Sequence, residues 1–170
     1  HPDEETRKRT RSDWGVPLVA CLLLFVGRLN RDKGVLDLAQ AFAQFSRDRD
    51  DVWLAVVGPD EAGIGKEFER LCGKALSRVR RVNYMATPEH AMAAADTFVL
   101  PSYREGFGNV VIEAAACGVP AVASRIYGLI DAVEENVTGL LYTPGDIANL
   151  RDCLQRLCVD SALRLKMGTA

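Results

Sequence analysis

Short apolar runs alternate along this chain with stretches whose apolar residues recur at helical spacing, and that alternation restricts the folds open to it. The run Leu18 to Val26 is continuously apolar and ends at Gly27. After a short polar loop, Lys33 to Arg47 carries apolar residues at 35, 38, 39, 42 and 45. The first pattern is that of a buried strand and the second that of an amphipathic helix. The pairing recurs as Val52 to Val57 with Lys66 to Leu76, Val82 to Met85 with Pro88 to Ala95, and Thr97 to Leu100 with Gly108 to Cys117. Val119 to Ala123 and Leu140 to Tyr142 supply two more strands, and Asp146 to Cys158 a closing helix. Ser161 to Ala170 reads as helix to the last residue, as though the chain were cut inside it. The class predicted is α/β, a Rossmann-like parallel sheet with helices on both faces and right-handed crossovers. Such sheets bind ligands at the carboxyl ends of their strands. The loops that lie there are 27–33, 58–65, 86–89, 101–109 and 124–131.

With 170 residues, 48% of them apolar, the chain is of a size for one domain with its own core. A formal charge of -2 gives no general attraction to nucleic acid. The basic clusters Arg7, Lys8, Arg9 with Arg11, and Arg78 with Arg80 and Arg81, read as solvated faces. Their alternative is contact with an anionic membrane surface, which would suit a lipid-linked acceptor. Five cysteines without a Cys-x-x-Cys pair read as reduced core residues of a cytoplasmic protein. His1 and His90 are the only histidines, too few to build a zinc set with those cysteines. No run is of membrane-spanning length and no signal peptide precedes the first strand, so Asn136 in its Asn-x-Thr context carries no meaning as a glycosylation site.

The chemistry concentrates in two loops. Glu105 and Glu113 bracket Gly106, Phe107, Gly108 and Asn109 where a strand hands over to a helix. The glycines let backbone N–H groups approach a ligand, and a helix starting near Gly108 aims its positive end at an anion. Carboxylates on both sides suit a ligand that combines phosphate with hydroxyls, as a sugar nucleotide does. Each glutamate taken alone reads equally well as a surface residue, the two together could form a glycosidase-type acid/base pair, and Phe107 could be a core anchor. After the first strand, Gly27 to Gly34 places Arg28, Arg31 and Lys33 at a helix start, where the helix partial charge disfavours cations. A diphosphate would offset them, with Arg28 as a planar fork and Lys33 as a point charge; the alternative is a solvated loop. Gly58 to Lys66 looks like a phosphate loop but has the wrong spacing, with Glu67 where Mg²⁺ needs a hydroxyl. Neither a Gly-x-Gly-x-x-Gly after the first strand nor a Gly-x-Ser-x-Gly elbow is present, which argues against nicotinamide, flavin and serine-hydrolase chemistry. Asp60 and Asp131 read as ordinary loop carboxylates, not a metal pair.

Phe25 to Leu29 with Lys33 and Gly34, Val57 with Gly58, Ala94 to Ser102, Glu105 to Ala114, Gly118 to Ser124 and Thr138 to Leu141, in this order, resemble the family-4 retaining glycosyltransferases. The resemblance covers roughly residues 18 to 158 and points to the C-terminal, nucleotide-sugar-binding half of the GT-B fold. It implies that Arg28 and Lys33 hold the donor diphosphate, that Glu105 meets hydroxyls of the transferred sugar and that Glu113 hydrogen-bonds the ribose. It further implies that backbone at Gly106, Phe107, Gly108, Asn109 and Val110 reaches sugar and phosphate, that backbone near Met85 reads the base, and that Gly27 and Gly58 line the donor. One departure is Arg125 to Gly128, which stands where the family carries a glycine pair after Ala-Ser and is weakly similar to the branch that builds bacterial surface polysaccharide and lipid-linked glycans.

The activity implied is transfer of a sugar from a UDP- or GDP-sugar to an acceptor hydroxyl with retention, in polysaccharide or glycolipid synthesis, on the cytoplasmic side and peripherally at the membrane. No metal is required if Arg28, Lys33 and helix-start N–H groups stabilise the departing diphosphate. The family's N-terminal, acceptor-binding domain has no counterpart in residues 1–170, so this chain is expected to bind donor without turnover. A non-catalytic nucleotide-sugar-binding module and half of a sugar-nucleotide epimerase are the alternatives.

Overall fold

The computed structural model describes residues 4–170, so His1 lies outside the described residues. The strands are β1 (Cys21–Val26), β2 (Val52–Val57), β3 (Val79–Val82), β4 (Thr97–Leu100), β5 (Ala121–Ser124) and β6 (Gly139–Tyr142). The helices are α1 (Glu4–Asp13), α2 (Val35–Phe45), α3 (Gly65–Cys72), α4 (Pro88–Ala94), α5 (Asn109–Ala116), α6 (Ile147–Val159) and α7 (Ser161–Gly168), with 3-10 turns at Arg31–Lys33 and Gly73–Arg78. All six strands are parallel, in the order β3-β2-β1-β4-β5-β6. With right-handed crossovers this order places α2 and α3 on one face and α4 and α5 on the other. β1 and β4 are buried along most of their length, which is why they read as unbroken apolar runs.

Four boundaries differ from expectation for identifiable reasons. Leu18 and Val19 precede β1 in a turn closed by Ala20 N–H to the Pro17 carbonyl, and they are exposed. The third strand is Val79–Val82, not Val82 to Met85, because Val79 pairs with Leu54 and Val82 with Val57. Two arginines hid it. β3 is an edge strand, where charge is tolerated, and the Arg80 guanidinium lies 4.5 Å from the centre of the Trp53 ring. The helix expected over Lys66 to Leu76 ends at Cys72, since Gly73 has φ 54° and the chain tightens there into a 3-10 turn. The helix at the end of the chain stops at Gly168, with Thr169 N–H bonded to the Leu165 carbonyl, and does not run to Ala170.

The basic clusters are only in part the solvated faces expected of them: Lys8 and Arg9 are exposed, but the other arginines are buried or half-buried. Arg11 is fully buried. Its guanidinium donates to the carbonyls of Ala94 (2.8 Å), Ala20 (2.8 Å), Leu18 (3.0 Å) and Pro17 (3.1 Å), and to Asp96 Oδ2 at 2.6 Å. Arg7 donates to Asp96 Oδ1 at 2.7 Å and to the carbonyls of Ala94 and Ala95. Asp96 also accepts from Leu22 N–H at 2.7 Å, so one carboxylate joins α1, β1 and the start of β4. Arg78 donates to the Ser46 carbonyl and Arg81 pairs with Glu69. These partners leave Arg7 and Arg11 committed to the fold and not to an external anionic surface. Among the described residues no helix is long and apolar enough to cross a membrane. The five cysteines are free, with Cys21 Sγ and Cys158 Sγ 2.8 Å apart in the core.

Burial alone would raise the Asp96 pKa, but Arg11 and Arg7 outweigh it and hold the carboxyl below its ordinary value of 3.8. The stability this contributes is complete above pH 3.8 and is lost as pH falls through the depressed folded value. Asp96→Asn leaves Arg11 buried without its counter-charge and should cost about 3 kcal/mol in urea unfolding at pH 7. The acid-induced loss of stability should be correspondingly shallower in this variant.

Candidate functional site

The sheet order reverses between β1 and β4, because the crossover after β1 runs over one face and the one after β4 over the other. In open parallel sheets the ligand-binding edge is at the carboxyl ends of the strands that flank such a reversal. The loops that face each other there are 27–34 and 101–108, the two that carry most of the residues singled out in the sequence.

Loop 27–34 leaves β1 with Gly27 N–H bonded to the Val57 carbonyl. It closes in a 3-10 turn capped by Asn30, whose side chain accepts from Lys33 N–H at 2.9 Å. Gly34 then has φ 63°, and a Cβ there would stand 1.9 Å from the Pro101 carbonyl oxygen. Only glycine permits both this turn and this contact, which presses the cation-bearing loop against the end of β4.

Lys33 and Glu105 meet across that contact, with Nζ 2.5 Å from Oε1. Both side chains are largely shielded, 22% and 13% exposed, so their attraction is less screened than that of a surface pair. Ser102, fully buried, donates its hydroxyl to the same Glu105 oxygen at 2.8 Å, and Ser124 at the end of β5 donates to the Ser102 carbonyl. Arg28 is exposed at the rim and reaches Glu61 of the β2 loop at 3.1 Å. Arg31 pairs with Glu67 at 2.7 Å.

α5 begins at Asn109, with Gly108 as its N-cap in the left-handed region (φ 66°) and no side chain capping its first turn. The start of this helix therefore keeps its positive end for an anion. Gly106 differs from Gly108: a Cβ there would meet nothing within 4 Å, so neither turn geometry nor packing asks for glycine. Phe107 is 53% exposed and is not a core anchor. Asn109 and Glu113 are exposed, Val110 and Met85 half-buried, with Met85 in the loop beyond β3. Gly58 donates its N–H to the Val82 carbonyl. Asp60 accepts from Ile64 and Gly65 N–H at the start of α3, so that helix end is already met by a carboxylate, as the mismatch to a phosphate loop anticipated.

The structure thus joins Lys33 to Glu105, sets Arg28 at the rim against Glu61, and leaves Glu113 on α5 without an ion pair among the described residues. No group of three His, Cys, Asp or Glu side chains comes together among those residues. Ser102, Ser124, Tyr103 and Asp37 belong to the same constellation and were not singled out from sequence, where a serine after proline or an aspartate early in a helix has no distinguishing pattern. Gly34→Ala should lower thermal stability by about 1 to 3 kcal/mol, a drop of several degrees by calorimetry, because it forces both the left-handed turn and a clash with Pro101. Gly106→Ala should leave the melting temperature unchanged.

Comparison with known proteins identifies the family and the fold. The family described as "Glycosyl transferases group 1" matches residues 6–170. A D-inositol 3-phosphate glycosyltransferase of Corynebacterium jeikeium is 39% identical over 97% of this chain and 42% of its own length. Among solved structures, sucrose-phosphate synthase from Thermosynechococcus elongatus superposes with a TM-score of 0.83 at 34% identity, over 99% of this chain and 42% of that one. Anabaena Alr3699/HepE, in complex with UDP and glucose, superposes with a TM-score of 0.89 at 28% identity, over 98% and 46%. The fold is that of the GT-B glycosyltransferases, and the chain spans about two fifths of the length of the curated relatives it matches.

Proposed function

Since the chain belongs to the glycosyl transferases of group 1, we propose that residues 1–170 form the C-terminal, donor-binding domain of a retaining glycosyltransferase that takes a UDP-sugar. The observation that carries this reading is the Lys33–Glu105 pair at the switch point of the sheet, beside an uncapped helix start. Lys33, Arg28 and the first N–H groups of α5 supply positive charge where a diphosphate would lie. Glu105 supplies an acceptor for sugar hydroxyls once Lys33 turns to phosphate, and Glu113 supplies one for the ribose. The open space at Gly106 is room for a ligand to approach backbone. UDP is favoured over GDP because Anabaena Alr3699/HepE, which superposes over nearly the whole chain, was solved with UDP and glucose.

In the reaction, charge develops on the leaving diphosphate, and Arg28 and Lys33 would stabilise it more strongly than the bound ground state. The same cations make a divalent ion unnecessary in this reading. The acceptor is assigned to a separate N-terminal domain, and the relatives named for inositol phosphate and sucrose phosphate resemble this chain in the half that meets the donor. Their names therefore bear on the donor class more than on the acceptor, which we place among the surface polysaccharide or glycolipid precursors of a bacterium.

A thermal-shift series with UDP, GDP, ADP and their glucose conjugates tests the site. UDP and UDP-glucose at a hundred times their Kd should add about 2.7 kcal/mol, or roughly 5 to 10 °C. The shift should vanish in Arg28→Ala/Lys33→Ala and persist in excess EDTA. A response equal across the bases, or one abolished by EDTA, would contradict the assignment.

A further inference from the structure

Residues 32–37 are clasped from one side by residues 101–103. The Gly34 backbone abuts the Pro101 carbonyl, as described above. Tyr103 adds a bond on each flank of that contact: its N–H donates to the Asp32 carbonyl at 2.7 Å, and its hydroxyl donates to Asp37 Oδ2 at 2.5 Å. Asp32 adjoins Lys33, Asp37 lies in the first turn of α2, and Glu105 follows Tyr103 by two residues. One residue, through its backbone N–H and its hydroxyl, thus ties the loop bearing the carboxylate to both ends of the segment bearing the lysine.

We infer that Tyr103 is a positioning residue whose bond to Asp37 fixes Glu105 relative to Lys33, and thereby sets where the sugar of a bound nucleotide-sugar lies relative to its diphosphate. The inference rests on the donor reading given above. Tyr103 is 43% exposed and stands outside the buried core, so its effect falls on loop placement. A neutral hydroxyl facing an ionised carboxylate makes a short, charge-assisted bond. The bond to Asp37 pushes the phenol up to about 12, which keeps it a donor throughout the neutral range. The Tyr103 hydroxyl also lies 3.3 Å from the position a Cβ on Gly145 would take, so the β6–α6 loop backs the strap from outside. When the hydroxyl bond is cut, Lys33 keeps its place through Asn30 and Gly34, whereas the Glu105 side chain has Ser102 and Lys33 itself, and its loop the remaining Tyr103 N–H bond to Asp32. Cutting it should therefore weaken recognition of the sugar more than recognition of the diphosphate.

Isothermal titration of UDP and of UDP-glucose into the unaltered chain, Tyr103→Phe, Asp37→Ala, Asp37→Asn and the Tyr103→Phe/Asp37→Ala double variant separates these effects. UDP-glucose should bind about tenfold more weakly to Tyr103→Phe and to Asp37→Ala, with UDP changed by less than about threefold. The double variant should be no worse than either single one, since both remove the same bond. Asp37→Asn keeps an acceptor for the phenol and should recover most of the UDP-glucose affinity. Equal loss for both ligands, an unchanged ratio, or additive losses in the double variant would overturn the strap. An unaltered chain that binds neither nucleotide would overturn the donor reading itself, and with it a sugar-positioning role for Tyr103.

Discussion

β1 and β4 are joined by the shortest ladder in the sheet, two register pairs against six between β1 and β2, yet the reversal of strand order that brings loops 27–34 and 101–108 together falls between these two strands. Asp96 compensates at their amino ends. Its carboxylate takes Leu22 N–H from β1 and the guanidinium groups of Arg7 and Arg11 from α1, while the same arginines collect the carbonyls of Ala94 and Ala95. A carboxylate and two guanidinium groups removed from water are costly unless each hydrogen-bonding position is filled. Here the Arg11 guanidinium meets four carbonyls and Asp96, with the two Nη1 hydrogens shared among the carbonyls of Pro17, Leu18 and Ala20.

At the carboxyl ends of the same strands the logic is reversed. The Lys33–Glu105 pair is also shielded, but Glu105 is supported on one oxygen by Ser102 and Lys33 has one carboxylate partner. An arrangement with unused hydrogen-bonding capacity, held in shape by Gly34 against Pro101 and by Tyr103 against Asp32 and Asp37, is suited to exchanging partners with a ligand. The closed network stabilises the strand junction, and the open one keeps capacity for a ligand.

The parallel sheet, its alternation with helices and the two loops that matter were legible in the sequence, because burial on both faces leaves unbroken apolar runs and because glycines mark the turns after them. The strand Val79–Val82 was not, since its central pair is arginine and its pairing with β2 is a non-local fact. Arg7 and Arg11 were misread for a related reason. A basic helix whose cations point inward has the same composition as one whose cations face water, and Asp96, more than eighty residues away, decides between them.

By itself the sequence determined the fold class and a family resemblance that the comparisons bear out, and it pointed to the carboxyl edge as the candidate site, because these depend on residue type and local periodicity. Only the tertiary structure decided that Lys33 and Glu105 share one contact, that Arg28 stands apart at the rim, and that Tyr103 straps the two loops together. Those facts depend on which strands become neighbours. That is set by the handedness of the crossovers and by a buried charge cluster that joins the first turns of the chain to its middle.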